Sequence, residues 1–123
     1  MRFILFASLI LVSSLSLASA KISDACEIKK NTRNEMNVIA SNLANVNTTR
    51  TPDGGPYRRQ EWVCKGQNCD VVLHDDTIIK YLPGHPDANQ DGYVLFPYIN
   101  LVTEMKAMLR ASIAHDEAQI ACP

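Results

Sequence analysis

The sequence predicts an α+β domain in which N- and C-terminal helices pack antiparallel around a small β-hairpin-containing middle region. Three observations carry this. Apolar residues recur at helical spacing near both ends of the chain. Between them lie short runs of strand-forming residues separated by clusters of Gly, Pro, Asn and Asp. Four cysteines are placed so that one pair can tie the helix ends and another can close a hairpin.

At 123 residues the chain holds at most one domain. Residues 1–20 read as a cleaved secretory signal peptide and 21–123 as the folded domain. Arg2 supplies the positive start, Phe3–Val12 is almost unbroken apolar sequence, and Ala18-Ser19-Ala20 offers small residues for cleavage. The run is interrupted by serines and short for a membrane span of about 20 apolar residues. No other segment can cross a bilayer, so no membrane span is expected after cleavage. Twelve Lys and Arg against 13 Asp and Glu give a net charge of −1. Loss of the signal removes Arg2 and no acid, leaving about −2. Such a balance argues against nucleic-acid and polybasic membrane roles, which depend on clustered positive charge. A domain this small buries a modest core and needs staples or neighbours.

The first helix is expected over residues 24–45, capped by Ser23 or Asp24. Ile28, Thr32, Met36, Ile39, Leu43 and Val46 step by four or three along one face, with Lys29, Lys30, Arg33 and Glu35 mostly off it. Asn45 and Asn47 suit the helix end, and Thr51-Pro52-Asp53-Gly54-Gly55-Pro56 is a tight turn. Residues 48–98 then read as short strands and loops. Tyr57–Cys64, Cys69–Leu73 and Thr77–Leu82 are strands, Pro83–Gly92 is a long loop, and Tyr93–Phe96 is a last extended run before Pro97. The second helix is expected over residues 100–120. Asn100 is its N-cap, and Glu104 in the first turn suits the helix dipole. Val102, Met105, Leu109, Ile113 and Ile120 form its stripe, broken late by Asp116 or Glu117, and Leu101 and Met108 widen it, as in a helix that touches more than one partner.

All four cysteines follow the signal, which implies an oxidising compartment. Of three possible pairings, position favours Cys26 with Cys122 and Cys64 with Cys69. Cys26 opens the first helix and Cys122 ends the last, so antiparallel helices bring them together. Cys64 and Cys69 flank the turn-forming quartet Lys-Gly-Gln-Asn. A zinc site is the competing reading, but the spacing lacks the paired CxxC knuckles of common structural sites.

Catalytic patterns are missing: there is no GxxxxGK, GxSxG or HExxH. His85, Asp87 and Asp91 share one loop and His74-Asp75-Asp76 another, yet loops so rich in turn residues read more simply as solvated. No enzyme activity, cofactor, metal or small-molecule substrate is expected.

Ala40-Ser41-Asn42-Leu43-Ala44-Asn45-Val46-Asn47-Thr48, followed by Gly55-Pro56-Tyr57-Arg58-Arg59, resembles the N-terminal signature of bacterial flagellar axial proteins, the rod, hook and hook-associated subunits. A second stretch narrows the likeness: Pro83-Gly84-His85-Pro86-Asp87-Ala88-Asn89, Asp91-Gly92-Tyr93-Val94, and Pro97-Tyr98-Ile99-Asn100-Leu101-Val102-Thr103-Glu104-Met105. Together they are similar to the C-type proximal rod proteins within the basal-body rod family, over about Asn34–Ile120. The resemblance implies a periplasmic structural protein of the flagellar basal body whose terminal helices form the inner layer of a torque-transmitting tube. Its partners would be copies of itself and other flagellar rod proteins. A helical assembly uses contacts that do not close, so each subunit must leave apolar helix surface for the next. Leu43, Leu101, Met105, Met108 and Leu109 are the expected assembly residues. Three features depart from the family pattern: the secretory signal, the cysteine pair in the middle region, and a last helix that ends by Pro123. They motivate an alternative, a secreted rod-like paralogue acting as a soluble binding module outside the flagellum.

Overall fold

The computed structural model describes the backbone of residues 2–123 and the side chains of residues 17–123. Six elements follow one another: α1 (Arg2–Ala44), β1 (Arg59–Lys65), β2 (Asn68–His74), β3 (Thr77–Tyr81), β4 (Tyr93–Pro97) and α2 (Leu101–Ala121). This is the expected α+β order. The apolar core of the expected signal, Phe3–Val12, falls outside the described side chains. Among the described residues no helix is long and apolar enough to cross a membrane.

The first helix departs from expectation at its start. Ser23 and Asp24, expected to cap it, lie inside a continuous helix. The reason is local: no Gly or Pro interrupts Arg2–Ala44, so nothing in the sequence stops helix propagation toward the N-terminus. Its C-terminal end is close to the expected one. Asn45 Nδ2 donates to the Ser41 carbonyl at 2.8 Å, and Asn45 Oδ1 accepts from the Thr48 hydroxyl at 3.0 Å. Those bonds satisfy groups left open where the helix stops.

Two separate two-stranded antiparallel sheets fill the middle. β1 and β2 form a hairpin with Cys64 opposite Cys69 and a turn at Gly66, whose φ of 63° is the left-handed region open to glycine. β3 and β4 pair from Thr77 opposite Pro97 to Tyr81 opposite Tyr93, with the residue 82–92 loop joining them. Val94 and Phe96 point inward from β4 while Tyr93 and Leu95 are exposed, the two-residue alternation of a half-buried strand. α2 begins as expected: Asn100 Oδ1 accepts from the Thr103 amide at 3.1 Å.

Cys26 lies beside Cys122, and Asn42 beside Glu104, so α1 and α2 run antiparallel. Their contact uses one side of α2 only. The stripe Val102, Met105, Leu109, Ile113 and Ile120 does not pack on α1; it is exposed, with Leu109 at 63% and Ile120 at 86% of full accessibility. Glu104, Ala111 and Ala118 are the buried residues of α2. At 3.6 residues per turn, about 100° each, these three lie on the side of the helix opposite Val102, Leu109 and Ile113. Alanine lets the helix axes approach closely, and close approach favours the small-residue face over the bulky one. The apolar core is correspondingly small: Val38 and Ile39 from α1, Val94 and Phe96 from β4, Ala111 and Ala118 from α2.

Candidate assembly surface

A polar clasp sets the position of α2, and the motif residue Asn42 is at its centre. Asn42 is fully buried. Its Oδ1 accepts from the Gln60 amide at 2.9 Å while its Nδ2 donates to the Gln60 carbonyl at 2.8 Å, so the side chain pairs with β1 as a neighbouring strand would. That double contact fixes which way the amide points. Tyr57 Oη also donates to Asn42 Oδ1 at 3.0 Å, and the same hydroxyl stands 3.0 Å from Ser41 Oγ. The second Asn42 N–H donates to Glu104 Oε2 at 3.1 Å. Glu104 is buried at the first turn of α2 and receives Arg59 Nε at 2.7 Å on its other oxygen. A buried carboxylate is tolerable only when paired in this way.

A second polar contact docks the long loop onto the turn that follows α1. Asp87 accepts from the Thr49 hydroxyl at 2.6 Å and pairs with Arg50. The Thr49 hydrogen bond, joined by Arg50, holds the Asp87 carboxyl below its ordinary value, with partial burial opposing. Inside the loop Asn89 Oδ1 accepts from the amides of Asp91 at 3.0 Å and Tyr93 at 2.9 Å. Gly92 closes it with φ 87°, and a Cβ there would lie 2.7 Å from Tyr81 Cε2. Pro83 and Pro86 lack amide donors and stiffen the loop's entry. Pro97 is fully buried at the end of β4. Asp87 and His85 are thus engaged within the loop and its dock. Among the described residues no group of three or more His, Cys, Asp or Glu is placed to hold a metal.

The four cysteines lie in two close pairs. Cys26 and Cys122 lie at disulfide distance with Cα atoms 5.1 Å apart, and Cys64 and Cys69 with Cα atoms 4.0 Å apart. One pair joins the helices and the other sits at the hairpin turn. Lys29 Nζ adds a hydrogen bond of 3.0 Å to the Cys122 carbonyl.

Of the expected assembly residues, Leu101, Met105 and Leu109 share one exposed apolar face of α2. Met108 is half-buried on the flank beside Glu104 and Ala111, and Leu43 is half-buried on α1. The face also includes Val102, Ile113 and Ile120, all exposed. Leu43 and Met108 are thus largely withdrawn from it, while Ile22 and Ile28 are the exposed bulky apolar residues of α1 beside its Cys26 end.

The sequence model of the family described as "Flagella basal body rod protein" matches residues 30–50, the end of α1 and the turn after it. That segment holds Ser41, Asn42 and Asn45. The flagellar basal-body rod protein FlgC of Borreliella burgdorferi is 34% identical over 135 aligned positions, which cover 86% of this chain and 84% of that protein. The chain belongs to the flagellar basal-body rod protein family. It is FlgC-like: the FlgC proteins of Salmonella typhimurium and Agrobacterium fabrum are 37% and 31% identical to it. The Salmonella alignment covers 63% of this chain and 66% of its relative, the Agrobacterium one 83% and 81%.

Within this FlgC-like chain the clasp residues Tyr57, Arg59, Gln60 and Glu104 were not singled out as one group by sequence. Glu104 gave no signal of its own: an acid opposite an apolar stripe reads as an ordinary solvated charge until that side is known to face α1.

Proposed function

We propose that this chain is a structural, non-catalytic subunit of the flagellar basal-body rod and that the outward apolar face of α2 is the surface by which it assembles. One observation carries the reading. Leu101, Val102, Met105, Leu109 and Ile113 form an apolar helical stripe, resumed at Ile120 beyond the exposed Asp116, that the other described residues leave uncovered, although α2 already has an intramolecular partner on its other side. Contiguous exposed apolar surface of this kind marks an interaction site. The names of the FlgC relatives support a rod as its destination. The remaining parts of the proposal follow the chain's own features. The leader Arg2–Ala20 directs it to the periplasm, and oxidation there closes Cys26–Cys122 and Cys64–Cys69.

Leu109→Glu tests the interface. The side chain is exposed in the free chain, so thermal unfolding of the purified variant should stay within about 0.5 kcal/mol of the parent. In a dry contact between subunits the same carboxylate costs several kcal/mol. Incorporation into purified basal bodies, and swimming, should therefore fail. Normal incorporation of Leu109→Glu would overturn the assigned surface. A parent protein that never copurifies with basal bodies would favour the secreted paralogue.

A further inference from the structure

The charges bordering the α2 stripe have a pattern that the rod reading does not use. Lys106, Arg110 and Glu117 are all exposed and, at about 100° per residue, all lie on the same flank of the stripe. The two cations belong to its N-terminal half and the acid to its C-terminal half, where the exposed Asp116, 3.7 Å from His115, interrupts the stripe itself and adds a second acid. Among the described residues none of the three takes part in an ion pair within the chain. Thr103, Lys106, Leu109 and Arg110 line an open groove of about 440 Å³ along that flank.

We infer that the free chain forms an antiparallel dimer with a second copy of itself through α2, apolar stripe against apolar stripe. The argument is one of symmetry. A two-fold axis across two antiparallel helices brings the same flank of each copy together and reverses its direction. The midpoint of the stripe Val102–Ile120 is residue 111, and the midpoint between Lys106 and Glu117 falls within one residue of it. Centring the stripes therefore sets Lys106 of each copy beside Glu117 of the other, with Arg110 one turn inward and long enough to reach the same carboxylate. A parallel pair would instead put the two flanks on opposite sides of the seam, where Lys106 and Glu117 of different copies do not meet. The apolar seam is about 27 Å long at 1.5 Å per residue, small for a protein interface, so the dimer is weak and exchanging. It covers the face that the rod would use and keeps the subunit soluble until assembly.

Sedimentation equilibrium of the purified full chain tests the inference without any rod, so its outcome is independent of whether the chain is a rod subunit. The parent should self-associate reversibly. Lys106→Glu with Arg110→Glu makes the flank wholly acidic, and Glu117→Lys makes it wholly basic. Each variant alone should dimerise at least about tenfold more weakly at low salt, whereas an equimolar mixture should recover dimer as the heterodimer. Circular dichroism on each variant separates loss of association from loss of fold. Zero-length carbodiimide coupling should join Lys106 to Glu117 between chains only, since along one helix they are about 16 Å apart. A monomeric parent at all concentrations, reversed variants that associate like the parent, or a mixture no tighter than either variant would each overturn the antiparallel dimer.

Discussion

At the scale of single residues, Asn42 and Asp87 show how a short polar side chain can stand in for missing core. Asn42 uses both donors and its acceptor on partners from β1, the preceding loop and α2. Asn42→Ala leaves the Gln60 backbone pair unsatisfied in a buried place and takes a donor from Glu104. Loss of those bonds should cost about 3 kcal/mol in urea unfolding. A cost below about 1 kcal/mol would mean that water replaces the amide without penalty. Asp87 gives a pH signature. Its carboxyl is held below the ordinary carboxylate value of 3.8, chiefly by Thr49 and then Arg50, so the docked loop draws stability from the charged form. That contribution is full above 3.8 and is lost as pH falls through the lowered value of the folded state. The stability difference between the parent and Asp87→Asn should therefore be constant from neutral pH down toward 3.8 and shrink below it. A difference independent of pH would show that Asp87 acts by shape alone. Asp87 was visible in the sequence as a loop acid, but its partners Thr49 and Arg50 were not, because nothing local connects positions 38 and 37 residues apart.

Among the elements, the hairpins and the two helices obey different constraints. Gly66 and Gly92 both have positive φ, yet only Gly92 is crowded, by Tyr81 and Pro83. Gly66→Ala should cost about 1 kcal/mol, the backbone strain of a left-handed alanine. Gly92→Ala adds the clash with the Tyr81 ring and should cost roughly 2–3 kcal/mol or open the residue 82–92 loop. Equal losses in the two variants would mean that the Tyr81 ring moves aside freely. The turn at Gly66 could be read from Lys-Gly-Gln-Asn, whereas the contact of Gly92 with Tyr81 required β3 and β4 to be paired. α2 makes the same point at larger size. Its boundaries and N-cap follow from local chemistry, while the side it turns inward does not. A bulky apolar stripe is the usual guide to the buried face, and here the alanine face opposite it was chosen by the close approach of α1.

For the whole molecule, the small core makes covalent closure matter. Cys26 and Cys122 are separated by 96 positions, and a link across a loop of that size stabilises by about 4–5 kcal/mol in the chain-entropy model. A Cys64–Cys69 link would close a short loop and contribute about 2 kcal/mol in the same model. Cys26→Ser with Cys122→Ser should therefore lower the unfolding midpoint much more than Cys64→Ser with Cys69→Ser. The reverse order would mean that the Asn42–Glu104 clasp, and not the link near the helix ends, holds α2 in place. The secretory reading has its own measurement. Intact-mass analysis of periplasmic protein should show an N-terminus at or near Lys21, and an uncleaved Met1 there would refute it.

What the sequence determined by itself was the order of elements, the approximate ends of four strands and α2, and the turn at Gly66. Those features depend on neighbours within a few positions. Only the tertiary structure decided which face of α2 is inside, why Glu104 is buried, and that Met108 and Leu43 withdraw from the surface where Leu101, Met105 and Leu109 remain. The physical reason is that burial is settled by competition between faces for one partner. On α2 the small alanines and a fully paired Asn42–Glu104–Arg59 network fit against α1 and β1, and the larger apolar stripe is left for another molecule.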